Sequence, residues 1–174
     1  SGDPQFREHS LAAASDILFR EKRWAAALEY FTQLAQTAAL PVNVLAGQVG
    51  QMRCLTELQR TSEAAAAAKK VIANDDANAD LKAQAGLAVG QGAINDNDLD
   101  AAYTRFKGIA NASNNVYGAE AAYNMAYVRY LQKRYKDAEK EVFSLVKKFP
   151  SYDHWKAKAF ILLGDVYLQL DDRF

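Results

Sequence analysis

Apolar residues recur along this chain at spacings of three and four, the period of a helix with one buried face. Leu11, Ala14 and Leu18 mark such a face in a first helix expected from about residue 9 to 22. After a short turn at Lys22 and Arg23, the residues Trp24, Leu28, Phe31 and Leu34 repeat the spacing in a second helix. So short a turn leaves antiparallel packing as the only outcome. Leu40, Pro41, Val42 and Asn43 read as the end of this pair, because proline cannot extend a helix and pushes the residue before it out of α geometry. Further helices are expected over 44–58 and 62–73, 81–94 and 99–110, 119–132 and 135–148, with a ninth over 155–170. Polar stretches at 74–78 and 111–115, and then Phe149 and Pro150, separate the pairs. Thr61 or Ser62 is placed to cap the fourth helix, with Glu63 in its first turn and Lys69 and Lys70 in its last, which suits the helix dipole. Nothing alternates with period two, so no strand is expected.

Every second helix opens on one motif: a residue, a small residue three on, and an apolar residue four beyond that. The copies are Trp24, Ala27 and Phe31; Thr61, Ala64 and Ala68; Leu99, Ala102 and Phe106; Tyr135, Ala138 and Val142, with Arg173 opening a fifth. Their first residues lie 37, 38, 36 and 38 positions apart. A period near this value marks stacked helical hairpins, an all-α solenoid of about nine helices. The chain 1–174 then forms one repeat domain, with repeats at about 9–40, 43–77, 79–115 and 116–150 and a partial one at 154–174. A terminal repeat needs a polar outer face, and Ile161, Leu162, Val166 and Leu170 do not supply one. The segment therefore reads as a fragment of a longer protein that can self-associate through this end. Ser1 and Gly2 look like a scar of tag removal.

Composition narrows the function classes. Half the residues are apolar and 24% are charged, enough to build a core and stay in solution. Lys plus Arg and Asp plus Glu each number 21, so no net charge drives binding to phosphate backbones or anionic lipid. The basic runs at 133–136 and 147–148 are short and interleaved with acids, and read as solvated helix faces. No apolar run approaches the roughly 20 residues a membrane span needs. The single cysteine, Cys54, excludes an internal disulfide; between Met52 and Leu55 it reads as a buried, inert thiol.

The best copy of the repeat runs through Tyr123, Asn124, Met125, Ala126 and Tyr130, then Tyr135, Ala138, Leu145 and Pro150. This succession of an apolar-small pair, an aromatic, an alanine and a closing proline resembles the tetratricopeptide repeat family. A fifth copy starts the same way with Leu163, Gly164 and Tyr167. The others depart from the family: Ser15 and Met52 stand where a small residue is usual, Thr61 replaces an aromatic, and Asp76 or Asn114 replaces the proline. The fit runs from about Leu11 to Phe174. Repeats longer than the usual length of about 34 residues, and the run from Phe149 through Tyr167, are similar to bacterial cell-envelope members. That resemblance points to the periplasm, with the cytoplasm as the alternative.

What the family implies is a right-handed superhelix whose first helices line a concave groove for a peptide or a partner helix. Carried over position by position, the groove residues are Asp16, Phe19, Arg53, Leu87, Gln91, Tyr123, Tyr127, Tyr130, Lys158 and Asp165. The family's clamp for the tails of heat-shock chaperones is absent, since Ala12, Asp16, Gly50, Gln84 and Ala88 occupy its places. The three tyrosines share one helical face and suit an interface, with an apolar ring and a wet hydroxyl. The competing reading packs them against the next repeat.

Fragments that invite a chemical reading fail on their neighbours. Asp96, Asp98 and Asp100 alternate as in a calcium loop, but Ala101 takes the place of the turn glycine and Lys107 that of the bidentate glutamate, leaving a capped turn. Gly86, Gly90 and Gly92 follow no strand and serve close helix packing. His9 and His154 are solitary, and the pairs Asp75-Asp76 and Asp171-Asp172 read as solvated helix ends, so neither metal nor cofactor is expected. With no nucleophile beside a base, the expectation is a non-enzymatic interaction scaffold that binds a protein or peptide. The alternatives are a structural spacer or self-assembling segment of a larger cell-envelope protein, and the non-catalytic arm of an enzyme. Balanced charge disfavours an RNA-reading repeat.

Overall fold

A computed structural model describes residues 4–170, with side chains from Phe6 onward. Among these residues there are nine helices and no strand: α1 (Pro4–Arg20), α2 (Trp24–Thr37), α3 (Pro41–Glu57), α4 (Thr61–Ala73), α5 (Ala79–Asn95), α6 (Leu99–Ala112), α7 (Val116–Leu131), α8 (Tyr135–Lys148) and α9 (Asp153–Gln169). The expected all-α series of helices is present. The expected fifth motif at Arg173, the Asp171-Asp172 pair, the leading Ser1 and Gly2, and the terminal Phe174 lie outside the described residues.

Each motif start, Trp24, Thr61, Leu99 and Tyr135, is the first residue of a helix. The turn ahead of it has the same geometry all four times. Lys22, Gln59, Asn97 and Lys133 adopt left-handed backbone, with φ of 59°, 57°, 59° and 59°. The following amide then bonds back across the helix end: Arg23 to Leu18, Arg60 to Leu55, Asp98 to Ala93 and Arg134 to Arg129, at 2.8 to 3.0 Å. This closure satisfies carbonyls that the helix end would orphan, and glycine is its usual left-handed residue. Here no glycine fills the position, so four side chains sit where L-residues are disfavoured.

Several boundaries differ from the sequence reading. Pro41 does not close a unit; it opens α3, where its fixed φ suits a helix start and its missing N–H costs nothing. The loop before it is held by Glu8, whose carboxylate accepts from the amides of Ala39 and Leu40, both at 3.2 Å, and from Asn43 Nδ2 at 2.7 Å. The Asn43 hydrogen bond holds the Glu8 carboxyl below its ordinary range, against an opposing effect of burial. Neither Thr61 nor Ser62 is the cap of α4, which falls at Arg60 without a side-chain bond. Asp98 does cap its turn, accepting from the Ala101 amide at 3.1 Å, so the aspartate cluster includes a helix cap. Asn115 extends α7 back to Val116 by accepting from the amides of Tyr117 and Gly118.

The chain divides into two compact units, one ending at Gly92 and the other beginning at Ala93. In the first, α2 packs on α1 and α3, α4 packs on α3, and α1 also touches α3. Its core joins Leu11, Ala27, Phe31, Leu34 and Cys54 on one side, and Leu45, Val49, Met52, Leu55, Ala68 and Val71 on the other. Ser15 fits the buried position of a small residue because its hydroxyl bonds back to the carbonyls of Leu11 and Ala12, each at 2.9 Å. Cys54 is buried, and desolvation first, then the charge of Glu57, pushes its thiol up to about 11.

In the second unit α7 packs on α6, α8 and α9, and α8 on α9. Ala102, Ala126, Ala138 and Phe106 are fully buried there, as the motif requires of its small and closing residues. Tyr103 on α6 ties three helices together: its hydroxyl donates to Glu141 at 2.6 Å, and the Arg129 guanidinium lies 3.5 Å over its ring. On α9, Leu162 and Val166 are buried, which corrects their place in the expected bare face. That face is instead Phe160, Ile161 and Leu168, exposed by 51%, 71% and 76%.

Candidate functional site

In the first unit, helical spacing brings two helices to one depression. Asp16 and Phe19 stand one turn apart on α1; Ala46, Val49 and Arg53 follow the same face of α3. These five side chains, with Phe31, Val42, Leu45, Gly50 and Leu81, line a cavity of about 300 Å³. Phe31 backs Gly50 so closely that a Cβ on Gly50 would overlap the edge of its ring. The Phe31 ring also meets Phe19 edge-on at 6.3 Å, and Phe19 packs on Trp24 at 4.8 Å, so the wall is fixed by aromatic contacts.

Arg53 is oriented from α5. Its Nε and Nη2 both donate to Gln84 Oε1, at 3.2 and 2.9 Å. A guanidinium carries five N–H donors, so this bidentate hold fixes the plane and leaves three donors for another acceptor.

Of the expected site residues in this unit, Asp16, Phe19 and Arg53 come together around the cavity. Gln91 is exposed on α5 and does not line it. Leu87 is a correction: it is buried, 8% exposed, and out of a partner's reach. Around it α5 also buries Ala83, Ala85, Gly86 and Gly90, and a leucine gains about 2 kcal/mol from leaving water, so burial outweighs display.

In the second unit the expected residues Tyr123, Tyr127 and Lys158 form a cluster with Trp155, which the sequence reading did not single out. Tyr123 and Tyr127 stack with ring centroids 6.4 Å apart and planes 6° from parallel. Trp155 lies 5.6 Å from Tyr123. The Lys158 ammonium sits 4.9 Å over the Tyr123 ring and 4.8 Å over Trp155, in cation–π reach of both. Beside it, desolvation raises the Glu120 carboxyl above its ordinary range while the charge of Lys158 pulls the other way. Burial first, then Tyr127 and the exposed Asp165, raise the Tyr123 hydroxyl in the same manner. Tyr130 contacts Tyr135 across the turn to α8, with centroids at 5.7 Å. Met125, Ala126 and Val128 are buried; the three tyrosines are half-exposed, with Tyr123 also packing on Trp155 of α9 and Tyr130 on Tyr135 of α8.

Trp155 was legible as a partner of Lys158, three residues on along one helix, and Glu120 as a partner of Tyr123 by the same spacing. Val42, Leu45 and Leu81 gave no such signal, since their part in the cavity depends on how α3 packs against α1 and α5. Among the described residues, no group of three His, Cys, Asp or Glu side chains converges as a metal site would require. No described helix is long and apolar enough to cross a membrane. No family model matches the chain, and no curated protein matches it.

Proposed function

We propose that this chain is a non-enzymatic interaction scaffold of the tetratricopeptide type, placed in a bacterial cell envelope, that holds a segment of another protein. The observation that carries this reading is the convergence of Asp16, Phe19 and Arg53 on one cavity. These residues come from helices one repeat apart; Phe19 also packs on the rings of Trp24 and Phe31, but the core of a hairpin needs neither the Asp16 nor the Arg53 charge at this place. The half-exposed tyrosines and Trp155 of the second unit supply a second set of anchors of the kind that dominate interfaces. Preformed helices need little ordering on binding, which leaves a few such anchors sufficient for useful affinity.

A photo-crosslinking amino acid placed at the exposed Ala46 position, with Lys70 on α4 as the control position, tests the proposal in cell-envelope extract. The reading expects a discrete adduct from position 46 and none from 70. The adduct should be lost in the double variant Arg53→Ala, Tyr127→Ala while helicity and melting stay unchanged. Equal crosslinking from both positions, or unfolding of the double variant, overturns it.

A further inference from the structure

We infer that the cavity between α1 and α3 is an anchor pocket for one large apolar side chain that carries a carboxylate beside it. The inference rests on the reading of this face as a partner-binding surface and names the chemistry of what enters it. Its volume of about 300 Å³ lies at the lower end of ligand sites, room for one ring or branched aliphatic group and too little for a helix. Phe19, Phe31, Val42, Leu45, Val49 and Leu81 give it an apolar wall, so the buried portion of the guest is apolar. Two charged groups line it, Asp16 on α1 and Arg53 on α3, and they are not equivalent.

Arg53 is half-buried, and its plane is fixed by Gln84, a neutral amide. Arg60 and Arg134 are compensated by carboxylates, Glu63 at 2.6 Å and Asp137 at 2.7 Å, while Arg129, which like Arg53 donates to an amide, Gln132 at 2.8 Å, has its face on the Tyr103 ring. At Arg53 an amide positions the cation without neutralising it, and a flat fork with donors remaining is suited to a carboxylate. Asp16 is exposed, where water and salt weaken its field, so its repulsion of an anionic guest is the smaller effect. The site therefore selects an apolar group next to a negative charge over the same group next to a neutral or positive one.

The experiment is an amide-resolved NMR titration of the purified chain with three probes that share one ring: N-acetylphenylalanine, its uncharged amide, and cationic phenylalaninamide. The carboxylate probe is expected to shift the amides of Ala46, Val49 and Gly50 and to bind about threefold to fivefold more tightly than the neutral amide, the upper part of the range for a solvent-accessible charge pair, as suits a half-buried guanidinium. Phenylalaninamide should be weakest. Arg53→Gln is expected to erase the preference while keeping weak binding of both uncharged and anionic probes; Asp16→Asn is expected to tighten the anionic probe. Ala46→Trp, at an exposed position on the rim, should abolish all three, with circular dichroism confirming the fold.

Equal binding of acid and amide, binding that survives Ala46→Trp, or no shift at these amides overturns the inference. If the probes fail while position 46 still crosslinks a partner, the pocket chemistry falls and the scaffold reading stands. If the acid binds as expected and no partner is captured, the reverse holds.

Discussion

Two helical glycines should respond to the same substitution with opposite signs. In α3, an added methyl at Gly50 would overlap the ring edge of Phe31, a residue only 5% exposed and part of the first unit's core. In α6, a methyl at Gly108 would meet no atom within 4 Å. Replacing glycine by alanine inside a helix gains about 1 kcal/mol from backbone entropy and propensity. At Gly108 that gain stands alone, so Gly108→Ala is expected to stabilise by about 0.5–1 kcal/mol. At Gly50 the Phe31 ring must move within a packed core, a cost of about 3 kcal/mol at the upper end of overpacking. The cost exceeds the gain, and Gly50→Ala is expected to destabilise by about 2 kcal/mol. Urea unfolding followed by circular dichroism reads both, with hydrogen exchange assigning each change to its own unit, since repeat chains need not unfold as one. If Gly50→Ala proves as stabilising as Gly108→Ala, α2 and α3 do not pack in this register and the cavity floor is misplaced.

Ala138→Leu inserts three carbons at a fully buried crossing of α7 and α8 and should cost about 1–3 kcal/mol in a thermal or urea melt; a tolerated leucine would expose the alanine and break the repeat alignment. Lys133→Gly relieves left-handed backbone at φ 59° and is expected to raise stability by about 1 kcal/mol in the same assay, where loss of stability would contradict the turn geometry. Glu120→Gln tests the desolvated carboxyl beside Lys158. A carboxyl whose folded pKa is raised contributes most below its unfolded pKa, and that contribution is lost as pH rises through the folded value. The variant should therefore melt higher than the parent at pH 7, with the gap closing as pH falls below about 4, near the unfolded glutamate value; a gap independent of pH would show that burial is not what shifts Glu120.

Helix order and hairpin pairing were legible because the motif at Trp24, Thr61, Leu99 and Tyr135 ties the start of a helix to a small residue one turn later, and both are local properties. The turns were placed correctly, yet their left-handed residues were not visible: lysine, glutamine and asparagine stand where glycine would have announced the conformation. Pro41 misled because proline reads equally as a helix stop and as a first helical residue. The deciding contact, Glu8 holding the amides of Ala39 and Leu40, spans more than thirty positions.

The candidate site was legible to the extent that it follows helical spacing. Asp16, Phe19 and Arg53 line one cavity, and Tyr123, Tyr127 and Lys158 meet. Leu87 failed because α5 is buried on several sides, a tertiary fact that spacing on one helix does not contain.

The whole account turns on α1, α2 and α3 stacking so that residues one repeat apart share a cavity, and Phe31 reports on that stacking alone. Its ring lies 6.3 Å from Phe19 on α1 and directly against Gly50 on α3. A nuclear Overhauser spectrum of the chain with labelled phenylalanine should show strong cross-peaks from the Phe31 ring to the Phe19 ring and to both Gly50 α-protons, which the ring current shifts apart. Cross-peaks from Phe31 to one helix without the other, or to neither, would contradict the stacking and remove the cavity with it.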